Sequence, residues 1–193
     1  MRMNNALLRG KLVRLTVEEP ETLASLESRW SADSEYSRLL DWDPARRFST
    51  KNSLKWIEKQ YENDANYAFT IRTLDGNRII GGIGLDGIRW SHRDCFVGIG
   101  LGEREFWGKG YGTDAMRIIL RYAFTELNLH RVTLDVFEYN QRGVHSYEKA
   151  GFVEEGRARG LVLRESRRWD VIYMGILRED WLKLEQERLE KTA

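Results

Sequence analysis

The stretch Glu105-Phe106-Trp107-Gly108-Lys109-Gly110-Tyr111-Gly112-Thr113-Asp114-Ala115 constrains this chain more than any other. Three glycines alternate at 108, 110 and 112. The run Cys95 to Leu101 before them has strand character. After them, apolar residues recur at Ala115, Ile118, Ile119, Tyr122, Ala123 and Leu127, a helical spacing. The glycines therefore join a strand to a helix start. A glycine leaves its amide open to close approach. The first amides of a helix lack intrahelical partners and favour an anion. The stretch predicts a phosphate cradle. A Walker loop would place Lys-Ser or Lys-Thr after its last glycine, whereas Thr113-Asp114 follows Gly112 here. A dinucleotide fingerprint would read G-x-G-x-x-G early in a βαβ unit; here the spacing is G-x-G-x-G, past mid-chain. On the glycines alone, a plain turn between strand and helix is an equal alternative.

A second segment narrows the choice. After a strand-like His130 to Phe137 comes Asn140-Gln141-Arg142-Gly143-Val144-His145-Ser146-Tyr147-Glu148-Lys149-Ala150-Gly151-Phe152. Together the two segments resemble the GNAT superfamily of acetyl-CoA-dependent N-acetyltransferases. The glycine stretch is similar to that family's pyrophosphate loop. The second segment is similar to its second cofactor helix, which ends in Tyr-x-Lys-x-Gly-Phe. The resemblance runs from Gly10 to about Trp181 and is sharpest between Phe96 and Phe152. Arg9-Gly10-Lys11-Leu12-Val13-Arg14-Leu15 and Ile176-Leu177-Arg178-Glu179-Asp180-Trp181 resemble the ribosomal-protein-acetylating subgroup.

In chain order, Lys11 to Val17 alternates like a strand, and Pro20 suits the first turn of a helix from about Glu18 to Trp30. Ser31 to Phe48 is polar and reads as a long irregular loop, of the kind that often carries function; the resemblance makes it a wall of the acceptor site. Ser49 or Thr50 caps a helix to about Tyr61. Tyr67 to Thr73 and Arg78 to Ile88 form a hairpin across Asp75-Gly76-Asn77. Glycines at 81, 82, 84 and 87 predict a bulge or close packing in its second strand. The next strand, Cys95 to Gly102, feeds the glycine loop and a helix from about Thr113 to Leu127. Asn140 suits an N-cap, and Gly151 a helix end. Val153 to Leu163 and Arg168 to Leu177 pair antiparallel around Glu165-Ser166, and Arg178 to Lys191 forms a last helix. The expected fold is α+β, one domain over residues 1–193. The resemblance implies a mixed, mostly antiparallel sheet, splayed in a V between strands four and five, with helices on both faces.

Bulk properties exclude other classes. Net charge is +1, so no strong field points to nucleic acid or an anionic membrane. No apolar run spans a bilayer, and Met1 to Gly10 lacks a signal-type apolar core. Cys95 is the only cysteine, which fits a reducing cytoplasm and, by size and burial tendency, a small core residue. The three histidines, His92, His130 and His145, and Cys95 make no metal-ligand spacing, so no metal is expected. Most of the seven tryptophans are expected in the core. A homodimer is the commonest oligomer and is carried only as that base rate.

The resemblance also implies roles. The acetyl carbonyl of acetyl-CoA would meet a backbone amide near Gly100 to Gly102, with Leu101 and Gly102 as cofactor contacts; such an amide stabilises a developing oxyanion. The pyrophosphate would lie on Trp107, Gly108, Lys109, Gly110, Tyr111, Gly112 and Thr113. Trp107 departs from the family's usual Gln or Arg. Asn140 would bond the pantetheine arm or cap its helix. Tyr147 would donate to the departing thiolate. Lys149 is read as a solvated charge. For the base that deprotonates the acceptor amine, Glu35, Asp43, Glu103, Asp135 and Glu138 remain open. The expected activity is direct acetyl transfer to a primary amine, a protein N-terminus or a small amine. A non-catalytic acyl-CoA-binding module and a nucleotide-binding protein of another class are the alternatives.

Overall fold

The computed structural model describes residues 7–191; the first part of the segment inspected for a signal core, residues 1–6, lies outside them. The elements follow in the order β1 (Val13–Thr16), α1 (Pro20–Trp30), α2 (Ser34–Leu40), α3 (Thr50–Tyr61), β2 (Tyr67–Thr73), β3 (Ile79–Arg89), β4 (Asp94–Leu101), α4 (Tyr111–Thr125), β5 (Arg131–Phe137), α5 (Gln141–Ala150), β6 (Val153–Arg164), β7 (Arg167–Leu177) and α6 (Arg178–Glu190). Seven strands make one sheet in the order β1-β2-β3-β4-β5-β7-β6. Every neighbouring pair is antiparallel except β4 and β5. That parallel pair holds only at Asp94–Arg131, Cys95–Val132 and Phe96–Thr133. Beyond Phe96 the two strands part, and the V-shaped splay opens.

Strand alternation sorts the two faces. On β3 and β4, Ile83, Leu85, Cys95 and Val97 point into the main core with Ala115, Met116, Ile119 and Ala123 of α4. The opposite face carries glycine: Gly82 pairs with Gly100, and Gly84 with Gly98. Over that face lie α1, α2 and α3, with α1 packed on α3 and α2 on β4. The glycines of β3 are explained in three ways. Gly81 abuts Gly100, whose carbonyl oxygen would lie 2.0 Å from an added Cβ. Gly87 takes a φ of 57° where the β3–β4 register shifts, which is the expected bulge. Gly82 and Gly84 leave the sheet surface bare beneath the helices.

Two expectations change. Ser31 to Phe48 is not irregular throughout, because Asp33 caps α2 by accepting from the amides of Glu35 and Tyr36. The tryptophans are mostly not core: Trp30 and Trp181 are buried, while Trp42, Trp56 and Trp90 are exposed. Helix α4 also starts at Tyr111, two residues earlier than its apolar spacing indicated. Glu165 and Ser166 both take positive φ, 51° and 61°, making the tight β6–β7 turn. Among the described residues no helix is long and apolar enough to cross a membrane.

Candidate active site

The end of β4 is the centre of the site. The Gly102 amide donates to the Ile80 carbonyl at 2.9 Å, within the sheet. Antiparallel alternation then turns the amides of Ile99 and Leu101 to the other side, into the splay. So of the two contacts expected here, Leu101 offers its N–H to the opening and Gly102 does not. The Leu101 carbonyl on that side accepts a 2.7 Å bond from Trp107 Nε1. Arg104 and Arg142 flank the Trp107 ring, with guanidinium carbons 4.9 and 4.0 Å from the ring centroid. The Trp107 amide is itself spent on the Arg104 carbonyl at 3.0 Å. Trp107 therefore braces the strand end instead of offering an amide to an anion.

The glycine loop carries the chain from the end of β4 into the start of α4. Gly110 is the N-cap of α4 and takes a φ of 88°, a left-handed conformation suited to glycine. The amides of Tyr111, Gly112 and Thr113 find no acceptor among the described residues, and Asp114 is the first to donate back, to Gly110, at 2.9 Å. Gly108, Gly110, Gly112 and Thr113 line a cavity of about 590 Å³. The Lys109 side chain is exposed outside that lining, and Tyr111 turns away to pack edge-on against Phe106 at 4.9 Å. Asp114, which sequence reasoning used only to reject a Walker loop, is buried. Its carboxylate accepts from the amides of Lys11 (3.1 Å), Leu12 (2.7 Å) and Val13 (3.1 Å), tying β1 to the start of α4.

Helix α5 forms the opposite wall. Asn140 caps it by accepting from the Gly143 amide at 3.0 Å, and it also lines the cavity. Gly151 ends the helix in the left-handed conformation expected of it. Thr113 and Ser146 hydroxyls join α4 to α5 at 2.8 Å. Tyr147 is half-buried, sits 6.2 Å from the Phe152 ring and lines the same cavity. Burial, with Asp135 adding to it, pushes its hydroxyl up to about 12, so it carries its proton at neutral pH. Lys11, Arg117, Arg142 and Lys149 add positive charge to the cavity wall. Lys149 is exposed, as expected, yet it stands at this wall.

A second cavity, about 750 Å³, lies over the glycine face beneath α1, α2 and α3. Its walls include Trp30, Trp56, Tyr61 and Phe69, and its floor Gly82, Gly84, Gly98 and Gly100. The two cavities share Tyr36, Leu40, Ile99 and Gly100. Of the candidate bases, only Asp43 lines this second cavity. Glu35 is paired with Arg104 at 2.6 Å. Glu103 bonds Arg29 and, at 3.0 Å, Trp30 Nε1. Glu138 accepts the Asp170 amide at 3.1 Å. Asp135 is half-buried, its carboxyl raised by burial, and lines neither cavity. Glu27 of α1, which sequence reasoning passed over, does line the second one. Its only sequence signal was a carboxylate one helical turn from Leu23 on one side and Trp30 on the other. Among the described residues no group of His, Cys, Asp and Glu could hold a metal ion.

The comparisons agree with this geometry. The family model described as an acetyltransferase (GNAT) domain matches residues 12–153. The chain is 35% identical over 141 residues to a spermidine N(1)-acetyltransferase of Vibrio cholerae, covering 66% of this chain and 80% of that one. It is 24% identical over 150 residues to the ribosomal protein uS5 alanine N-acetyltransferase of Escherichia coli, covering 74% and 77%. A crystal structure of the Vibrio cholerae spermidine N-acetyltransferase in complex with CoA and spermine superposes with a TM-score of 0.78 and 26% identity, covering 88% of this chain and 98% of that one. The family match, the relatives and the superposed structure together show that the chain is an N-acetyltransferase that belongs to the GNAT acetyltransferase family.

Proposed function

We propose that the enzyme moves the acetyl group of acetyl-CoA to a primary amine by direct attack in a ternary complex. The observation that carries this is the meeting of two cavities at Ile99 and Gly100. One has the phosphate cradle and Tyr147, and the other is an open chamber on the opposite face. The fit to a CoA ester rests on the unpaired amides of Tyr111, Gly112 and Thr113 at a helix N-terminus, which suit a pyrophosphate.

In this reading the Leu101 amide bonds the acetyl carbonyl and stabilises charge on its oxygen. Asn140 holds the start of α5 and offers its remaining amide hydrogens to the pantetheine arm. Tyr147, kept protonated by burial, donates to the departing sulfur. Acceptors named for relatives include spermidine and a ribosomal-protein alanine; the acceptor here is a small amine or a protein N-terminus. The buried single thiol of Cys95 suits a cytoplasmic enzyme.

Titration calorimetry of acetyl-CoA tests the reading with wild type and Gly112→Asp. Aspartate is well tolerated in the first turn of a helix, and a Cβ at Gly112 meets nothing closer than 3.6 Å. The new carboxylate would occupy the cradle. Binding by wild type that is lost in a folded Gly112→Asp protein is the expected result. Equal binding by both, or none by wild type, overturns the placement.

A further inference from the structure

We propose that Glu27 is the general base of the transfer, taking a proton from the ammonium group of the acceptor. This rests on the transferase reading above. Glu27 stands on α1, half-buried, and lines only the acceptor chamber, while Tyr147 lines only the donor cavity. The two acid–base groups thus approach the junction from opposite sides. The link to the reacting centre is Tyr36. Its hydroxyl interacts with the Glu27 carboxyl and favours the ionised form. The same hydroxyl is packed on Gly100, where an added Cβ would lie 2.9 Å from it. Gly100 sits between Ile99 and Leu101, whose amides face the splay.

Asp41, Asp43 and Asp86 also line the chamber but are exposed, whereas Glu27 is half-buried. Glu35 and Glu103 are held by arginines. Around Glu27 in the chamber stand Tyr36 of α2, Asp41, Asp43, Arg46 and Arg47 of the next loop, Tyr61 of α3 and Asp86 of β3. No salt bridge joins Glu27 to either arginine among the described residues. Burial raises the Glu27 carboxyl from 4.5 to about 7, and the Tyr36 hydroxyl pulls against that rise. A base of that strength is half ionised near neutral pH, where it can both accept and release a proton. A second observation marks the chamber as built for a polar guest: the Thr70 hydroxyl is buried, Thr70 lines the chamber, and the hydroxyl has no hydrogen-bond partner among the described residues.

The protons balance. Glu27 takes one from R–NH3+, and the freed nitrogen lone pair forms the N–C bond at the acetyl carbonyl. The C–S bond breaks with its electron pair on sulfur, which takes a proton from Tyr147. The nitrogen loses a second proton, which restores Tyr147 by way of water. Glu27 passes its own to solvent. One ammonium and one thioester give one amide, one thiol and one proton.

The test compares wild type, Glu27→Gln and Tyr36→Phe with spermidine, phenethylamine and an alanine-terminated peptide as acceptors. All three proteins are expected to bind acetyl-CoA alike. Wild-type kcat/KM should rise with pH through a limb near 7, and carbon-13 titration of the Glu27 carboxyl should give the same pKa. Glu27→Gln should lose the limb and roughly a hundredfold in kcat/KM at pH 7. The loss should shrink at about pH 9.5, where more of the amine is already neutral. Tyr36→Phe, which removes the hydroxyl that holds the carboxyl down, should move both the limb and the carbon-13 pKa upward together. A limb that persists in Glu27→Gln, or a loss equal at every pH, overturns the role of Glu27 alone. Failure of wild type to bind acetyl-CoA, or to acetylate any of the three amines, overturns the transferase reading and this role with it.

Discussion

Trp107 Nε1 donates a 2.7 Å hydrogen bond to the carbonyl oxygen of Leu101, six residues back. The bond closes the loop between strand end and glycine cradle, and it fixes the peptide plane next to the Leu101 amide. The position that departs from the family's usual residue thus acquires a bracing role. Trp107→Phe keeps a ring for Arg104 and Arg142 but removes the donor. It should cost about 1 kcal/mol of stability and weaken catalysis several-fold more than acetyl-CoA binding. Thermal unfolding beside kcat and calorimetric Kd checks this; unchanged kcat would assign Trp107 to packing only.

Asp114 holds the amides of three consecutive residues, Lys11 to Val13. Asparagine keeps one acceptor oxygen and turns an NH2 group toward donors. Asp114→Asn should therefore lose roughly 3 kcal/mol in urea unfolding. Gly10→Ala should also destabilise, since its Cβ would lie 2.3 Å from Asp114 Oδ2. A stable Asp114→Asn protein would show that β1 docks without this anchor.

Tyr147→Phe removes only the hydroxyl from a half-buried ring. The expected outcome is a fall in kcat of roughly a hundredfold or more, with acetyl-CoA affinity unchanged. Affinity that falls as steeply as kcat would make Tyr147 a binding residue.

Gly98 lies on the floor of the second cavity, the proposed acceptor chamber, and an added Cβ there meets nothing within 4 Å among the described residues. Gly98→Val should fold, because valine suits a strand, and should narrow the chamber. KM for the amine should rise about tenfold or more while acetyl-CoA binding stays constant. Unaltered acceptor KM would move the acceptor elsewhere.

Glu27 should also set a pH dependence of stability. Its native carboxyl is raised from 4.5 to about 7, so the native state holds this proton more tightly than the unfolded chain. Stability from this group is therefore present at low pH and lost as pH rises from about 4.5 through about 7. Glu27→Gln should be more stable than wild type by about 2 kcal/mol at pH 8, with the difference below about 0.5 kcal/mol at pH 4.5. Urea midpoints at both pH values measure it. A constant difference would mean that Glu27 does not titrate differently on folding. A gain in stability on loss of a base is the trade expected of a buried functional charge.

Features written in neighbouring residues were legible without coordinates. The glycine loop, the Asn140 cap, the Gly151 helix end and most strand limits depend on local backbone preference and short periodicity, and they stand where the sequence put them. Helix α2 escaped because its capping depends on one Asp33 side chain in a polar stretch with little periodicity. The remainder was decided by contacts between distant segments. Gly82 meets Gly100, and Gly84 meets Gly98, only because β3 and β4 pair in that register. Asp114 meets Leu12 across 102 positions. The Gly102 amide is spent because Ile80 lies opposite. Glu27 and Tyr147 line two cavities that meet at Ile99 and Gly100 because the sheet carries α1 on one face and α5 lies on the other. The chain alone thus determined where the glycine loop, the start of α4 and the helix bearing Tyr147 lie, since those need only local geometry. Tertiary structure decided which amide is free, which carboxylate in the second cavity is half-buried and how wide that cavity is, because hydrogen-bond competition and burial exist only once the segments are packed.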